Sequence, residues 1–415
     1  MLRALSHPAY RRLFLAQVAS LAGTGLITVA LGLLAYDLAG DNAGQVLGTA
    51  FAVKMVAYVL VAPFAAALVA NLPRRAVMVG ADAVRIVAVL CLPLVAEIWH
   101  VYVLIFLLQC ASATFTPTFQ SVIPQILEDE EDYTAALSLS RLAYDLEAVL
   151  SPALAGLLLL FIPSTALFFW TALGFAGSAL FVLSVAVPAV PARKEGEEIP
   201  FLRRVRHGAT LFVRTAALRP VLVLNLAVAS AGAFVLVQTV VIAKSVFGQG
   251  DDVVALLLAA NGLGSMAAAF ILPRLLLRHG DRRIMIGGAV LLALATAAIP
   301  LALAGVGGAG LAGVAVLWVL IGWAWSSVET PVGRIIRRSV PAGDLPAAFA
   351  AQFSLSHACW LVTYPVAGWL GSRDLSLAAA VLAGVAAASA VAAIVLWPST
   401  RDAVARDGTH RSPRG

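Results

Sequence analysis

Glu147 lies in a stretch, residues 135–160, that is otherwise apolar enough to form a buried helix. At 100° per residue, Ser140, Arg141, Tyr144, Asp145, Glu147, Ser151 and Pro152 share one half of that helix. Leu142, Ala143, Leu146, Val149 and Leu150 fill the other half. Arg141 and Asp145 are four apart and can pair on one face, as a structural or gating ion pair or as ligands to a substrate. Glu147 has no basic residue one turn away, so its partner must come from another helix or from a bound ligand. Such a carboxylate suits a proton or a cation, or a structural bond between helices. His357 can titrate near neutral pH. It shares its helix with Gln352, Ser356, Cys359 and Thr363, a polar stripe at helical spacing. Carboxylate, imidazole and thiolate are suitable ligands for a divalent transition metal. No His pair at i,i+4 and no Cys-x-x-Cys spacing supports a metal site, so its residues remain unknown.

The elements that must position these groups follow from composition. Of 415 residues, 61% are hydrophobic and only 12% charged, which excludes a soluble enzyme, a disordered regulator and a disulfide scaffold. Apolar segments run over 13–38, 46–70, 76–96, 101–124, 135–160 and 163–187. After a polar stretch they continue over 220–247, 252–273, 284–304, 310–333, 346–370 and 375–397. Each is long enough to cross a bilayer as a helix. The N-terminal run is too long for a signal peptide and is read as the first span, retained. Ionisable groups inside a bilayer are costly and therefore candidates for function.

The predicted fold is an all-α membrane protein with twelve transmembrane helices. It divides into a six-helix bundle over 1–187, a linker over 188–218, a second six-helix bundle over 219–397 and a polar tail over 398–415. Alternate loops hold nearly all the arginines, which places both termini and the linker in the cytoplasm. The net charge of +6 is explained by those loops, so no nucleic-acid partner is expected. The three cysteines lie in apolar stretches and imply no disulfide framework. There is no phosphate loop, no His-Glu-x-x-His and no G-x-S-x-G, so neither an enzyme nor a cofactor is expected.

The two halves repeat each other. Thr116-Pro117 matches Thr330-Pro331, and Ser138-Leu139-Ser140-Arg141 matches Ser354-Leu355-Ser356-His357. The short turns Leu72-Pro73-Arg74-Arg75 and Gly280-Asp281-Arg282-Arg283 also correspond. Two glycines in Asn261-Gly262-Leu263-Gly264 suit close helix packing.

With its two sets of six spans, basic turns after spans two and eight, and a central linker, the chain resembles the major facilitator superfamily. Residues 66–75 align with that family's loop motif, roughly G-x-L-a-D-R-x-x-R-R. Leu68, Arg74 and Arg75 are retained, while Ala66, Ala70 and Asn71 replace glycine, aspartate and arginine. Asp82 and Arg85, in the third span, look like the acidic–basic pair of the efflux branch. The phrase from Asp132 to Pro152 is also similar to bacterial nickel-resistance exporters.

The resemblance implies secondary active efflux of a small molecule or cation by alternating access, coupled to protons. It implies a monomer in the bacterial inner membrane, lipid and protons being its other partners. Glu147, Asp145, His357, Arg141, Tyr144 and Gln352 would bind substrate or proton, and Arg74, Arg75, Asp82 and Arg85 would gate. Alternatives are a divalent metal exporter of the same fold and a non-transporting receptor or scaffold.

Overall fold

The computed structural model describes residues 2–61, 72–127, 129–186, 210–305, 307–341 and 344–397. Most of the expected linker, the whole tail and residues 66–71 of the loop motif lie outside these ranges. The described residues form helices and short connections, with no strand among them.

The helices are α1 Pro8–Ala39, α2 Ala43–Val56, α3 Arg74–Cys91, α4 Ile98–Ile126, α5 Glu130–Leu159 and α6 Ala166–Leu183. They continue with α7 Arg219–Val241, α8 Asp251–Ala297, α9 Ile299–Leu303, α10 Gly307–Glu329, α11 Val332–Ser339, α12 Leu345–Pro365 and α13 Leu375–Leu396. Nine runs among the described residues are long and apolar enough to cross a membrane. The first, Pro8–Val59, passes through the expected first and second spans. Helices α5 and α12 cover the expected fifth and eleventh spans and are not among the nine.

Local chemistry sets the breaks. Pro8 starts α1, where its missing N–H costs no hydrogen bond. Gly40, at φ 53°, ends the same helix in a conformation that side chains disfavour. Gly280, at φ 75°, divides α8 into two antiparallel-capable arms at the expected turn after span eight. Asp374 caps α13, accepting from Ser376 N at 2.7 Å and Leu377 N at 3.0 Å.

Among the N-terminal helices, α1 packs on α6 and α5, and α3 on α4 and α6. Among the C-terminal helices, α8 packs on α10 and α13, and α7 on α13 and α12. Glycines allow the closest crossings. A Cβ on Gly264 of α8 would fall 1.9 Å from the Val319 carbonyl of α10, and one on Gly322 would fall 1.9 Å from the Asn261 carbonyl. The expected packing role of the Asn261–Gly264 run is thus realised at one α8–α10 crossing. Outward-facing side chains such as Phe270, Leu301 and Val395 are exposed and apolar, as a lipid-facing surface requires.

Contacts between the two sets gather at the end of the molecule where α1 finishes and α8 begins. Tyr36 Oη accepts from Ser245 Oγ at 3.0 Å. Lys244 Nζ lies 2.6 Å from Asp251, 4.0 Å from Asp37 and over the Tyr36 ring. Gly44 and Gly48 of α2 meet Gly368 backbone to backbone, and Trp369 Nε1 donates to Thr49 at 3.0 Å. Gln238 of α7 meets Gly44 of α2, and within its own set it donates to the Ala367 carbonyl at 2.6 Å, in the π-turn Val366–Leu370 that continues α12. Gly156 of α5 packs on Ala255 of α8.

At the opposite end several polar contacts among the described residues lie within one set. His7 pairs with Asp132 at 3.0 Å, and Tyr10 donates to the Ala136 carbonyl at 3.1 Å. Arg334 and Arg338 of α11 both pair with Asp281 of α8.

Candidate functional site

Helix α5 carries Glu147 and Ser151 against α1 at Gly25. A Cβ at Gly25 would lie 2.8 Å from Glu147 Oε1 and 2.0 Å from Ser151 Cβ. Only a glycine leaves room for the carboxylate and the hydroxymethyl there. The turn of α1 that meets Glu147 also meets Lys54 of α2. Thr24, Thr28 and Lys54 line one cavity of about 20 Å³, together with Ile27, Leu31, Phe51, Ile105 and Gln109. The Lys54 ammonium supplies the opposite charge that acts on the Glu147 carboxylate. Two opposite charges inside an apolar bundle stabilise each other, and removing one leaves the other uncompensated.

Lys54 stands on α2 and Glu147 on α5, so no local spacing in the sequence connects the two charges. The basic group whose charge acts on Glu147 stands on another helix.

Around these two charges sits an aromatic and polar wall. The Lys54 ammonium is 5.9 Å from the Tyr58 ring centre. Tyr58 is edge-on to His357 at 5.6 Å and to Phe353 at 6.2 Å, joining the N-terminal helices to α12. His357 stacks on Phe353 at 4.0 Å, and its Nδ1 donates to the Phe353 carbonyl at 2.7 Å. Tyr144 is exposed on the same face of α5, and Gln17 of α1 accepts from Ser140 Oγ at 2.9 Å.

The other expected residues fall elsewhere. Gln352 and Asn225 exchange two hydrogen bonds, of 3.0 and 3.3 Å, between α12 and α7. The side chains of Arg141 and Asp145 lie outside the described residues, though their backbone is helical. Asp82 and Arg85 do form an ion pair, fully buried among the N-terminal helices. Arg85 also donates to Ser20 at 2.9 Å and lies between the Phe115 and Phe175 rings, 4.4 and 4.6 Å from their centres. Such cation–π contacts help hold a guanidinium away from water. Arg75 donates to the Leu183 carbonyl, and Arg12 to the Ser184 carbonyl at 2.6 Å. Both therefore cap the C-terminal end of α6, where a cation is favoured. Arg74 starts α3. No group of three or more His, Cys, Asp or Glu that could hold a metal occurs among the described residues.

The sequence profile of the Major Facilitator Superfamily matches residues 13–250. The chain belongs to the Major Facilitator Superfamily. It is therefore a multi-pass membrane protein of a transporter family, and the efflux resemblance read from its motifs extends to named relatives. It is 25% identical over 197 residues to macrolide efflux protein A of Streptococcus pyogenes, covering 46% of this chain and 48% of the relative. It is 28% identical over 156 residues to macrolide efflux protein A of Enterococcus faecalis, covering 36% of this chain and 48% of the relative. The matched region spans about half the length of these relatives.

The same fold occurs in solved superfamily structures. The nucleoside transporter NupG superposes with a TM-score of 0.69 at 14% identity, over 94% of this chain and all of that one. The peptide transporter POT in complex with sulfate gives 0.69 at 11% identity, over 94% and 93% of the two chains. A bacterial metal transporter gives 0.65 at 13% identity, over 94% and 98%. At these identities the likeness is one of fold, and the similarity to nickel exporters gains nothing from it.

Proposed function

We propose that this superfamily member is a secondary efflux transporter that exchanges protons for an amphipathic organic substrate at Glu147. The observation that carries the reading is Glu147 set against Gly25 inside the bundle, with Lys54 as its counter-charge. A proton or a cationic group binding to this carboxylate competes with the other. Competition for one buried carboxylate makes exchange obligatory when the empty site reorients poorly. The macrolide efflux relatives support an organic substrate rather than a metal ion.

The architecture in this reading is twelve spans in two six-helix bundles joined by the 188–218 linker, with both termini in the cytoplasm of a bacterial inner membrane. The gathered contacts around Tyr36, Lys244 and Gly368 then close the outer side. Their gathering at that end supports an inward-facing conformer. Rocking of the bundles about the central site would expose it to each side in turn.

The test is substrate uptake into everted vesicles. Wild-type uptake should fall when the proton gradient is collapsed, and Glu147→Gln should reduce gradient-driven uptake at least about 100-fold, the scale of losing an essential proton-transfer group. Uptake insensitive to the gradient would exclude the coupling, and normal uptake by Glu147→Gln would exclude the carboxylate.

A further inference from the structure

The cavity beside Lys54 has polar equipment that the proton exchange does not use. It lies between α1, α2 and α4, its walls partly apolar from Ile27, Leu31, Phe51 and Ile105. Its polar lining is Lys54, Gln109, Thr24 and Thr28. Gln109 is only 6% exposed and lines the cavity, and no hydrogen bond from its amide occurs among the described residues. Thr24 and Thr28 donate their hydroxyls to the Ser20 and Thr24 carbonyls, which keeps their protons in the helix. The free donors at the cavity are therefore the Gln109 amide and the Lys54 ammonium. Both suit an oxygen acceptor that carries negative charge.

Position makes the pit part of a larger site. It shares the Thr24–Thr28 turn with Glu147, which touches Gly25 between the two threonines. A negative site and a positive site thus lie on adjacent faces of one helical turn. Phe51, in the wall of the pit, stacks at 5.0 Å on Tyr364 of α12, so the pit faces the opposite set of helices.

We propose that Lys54 and Gln109 form an acceptor subsite that binds a carboxylate of the substrate while Glu147 binds its amine. The preferred substrate class is then an amphipathic zwitterion. This rests on the transport reading above and narrows it. Binding the carboxylate at Lys54 releases Glu147 from its internal counter-charge. The same substrate then presents its own amine to Glu147, so neither charge is left without a partner during the exchange.

The experiment is calorimetric binding to the purified full chain in detergent micelles, with an arylpiperazine carboxylate and its decarboxylated arylpiperazine as probes. Wild type should bind the carboxylate about 10-fold or more tightly, the scale of a hydrogen bond to a charged group. Gln109→Leu should bring the two affinities to within about 2-fold, and Gln109→Glu should reverse the preference by charge repulsion. Equal affinities in wild type, no binding of either probe, or a preference unchanged in both variants would overturn the subsite. A carboxylate preference that persists in protein showing no vesicle uptake would leave the subsite standing and sink the transport reading instead.

Discussion

At the scale of single residues, the site depends on what is missing from α1. Gly25 has no side chain where Ser151 and Glu147 approach, and a Cβ there would come within 2.0 Å of Ser151. Gly25→Ala should force α5 away from α1 and lower uptake about 10-fold or more, since misplacing a binding group by about 1 Å has large effects. Removing the obstruction with Ser151→Gly in the same chain should recover much of it. A double variant no better than Gly25→Ala would show that the carboxylate, not Ser151, sets the spacing. Glu147 itself was legible in the sequence, since a lone acid on the polar half of an apolar helix needs a partner. The counter-charge from Lys54 depends on three-dimensional proximity between α2 and α5, which no local spacing encodes. Gln109 gave no signal, because one amide in an apolar helix has many innocent uses.

At the scale of elements, the segments were legible and their merging was not. Apolar length set the spans, but the first and second form one run broken only by the turn Gly40–Asn42. The turn at Gly280 was expected from its glycine and charges, and the φ of 75° supplies the reason. The Asn261–Gly264 run was legible as packing because two glycines at that spacing have little other use in a bilayer. Its partner, Gly322, was not. Gly264→Leu should destabilise the α8–α10 crossing by about 1–3 kcal/mol or more, the range for overpacking a tight contact. A thermal-denaturation midpoint in detergent equal to wild type would show that the crossing yields without cost. Arg75 illustrates the opposite case. The family motif suggested a gate, and the structure adds that its side chain caps α6, an interaction that depends on where a distant helix happens to end.

At the scale of the whole molecule, the two sets of helices meet through small residues and a few polar links. Gly48 illustrates how little room the seal allows, since a Cβ there would fall 2.5 Å from the Tyr364 carbonyl. Gly48→Leu should hold the seal open. In a background lacking Cys91, Cys110 and Cys359, a thiol introduced by Ala367→Cys is buried in the closed seal. Its labelling by a membrane-impermeant maleimide should rise at least about 10-fold when Gly48→Leu is added, the scale of a two-state equilibrium shifted by more than about 1.4 kcal/mol. Equal labelling in both backgrounds would mean that this contact does not limit opening.

Gly25 sits near the middle of α1, Pro8–Ala39, and holds Glu147 at that depth. A proton travelling from outside to this carboxylate crosses about half of the electric field across the membrane. Moving a full charge through 100 mV is worth about 2.3 kcal/mol, so half the field contributes about 1 kcal/mol per proton. In the proposed exchange, voltage alone then changes the occupancy of Glu147 several-fold, with no difference in pH on the two sides. In that exchange the depth of one glycine would make the carboxylate a voltage sensor as well as a proton acceptor.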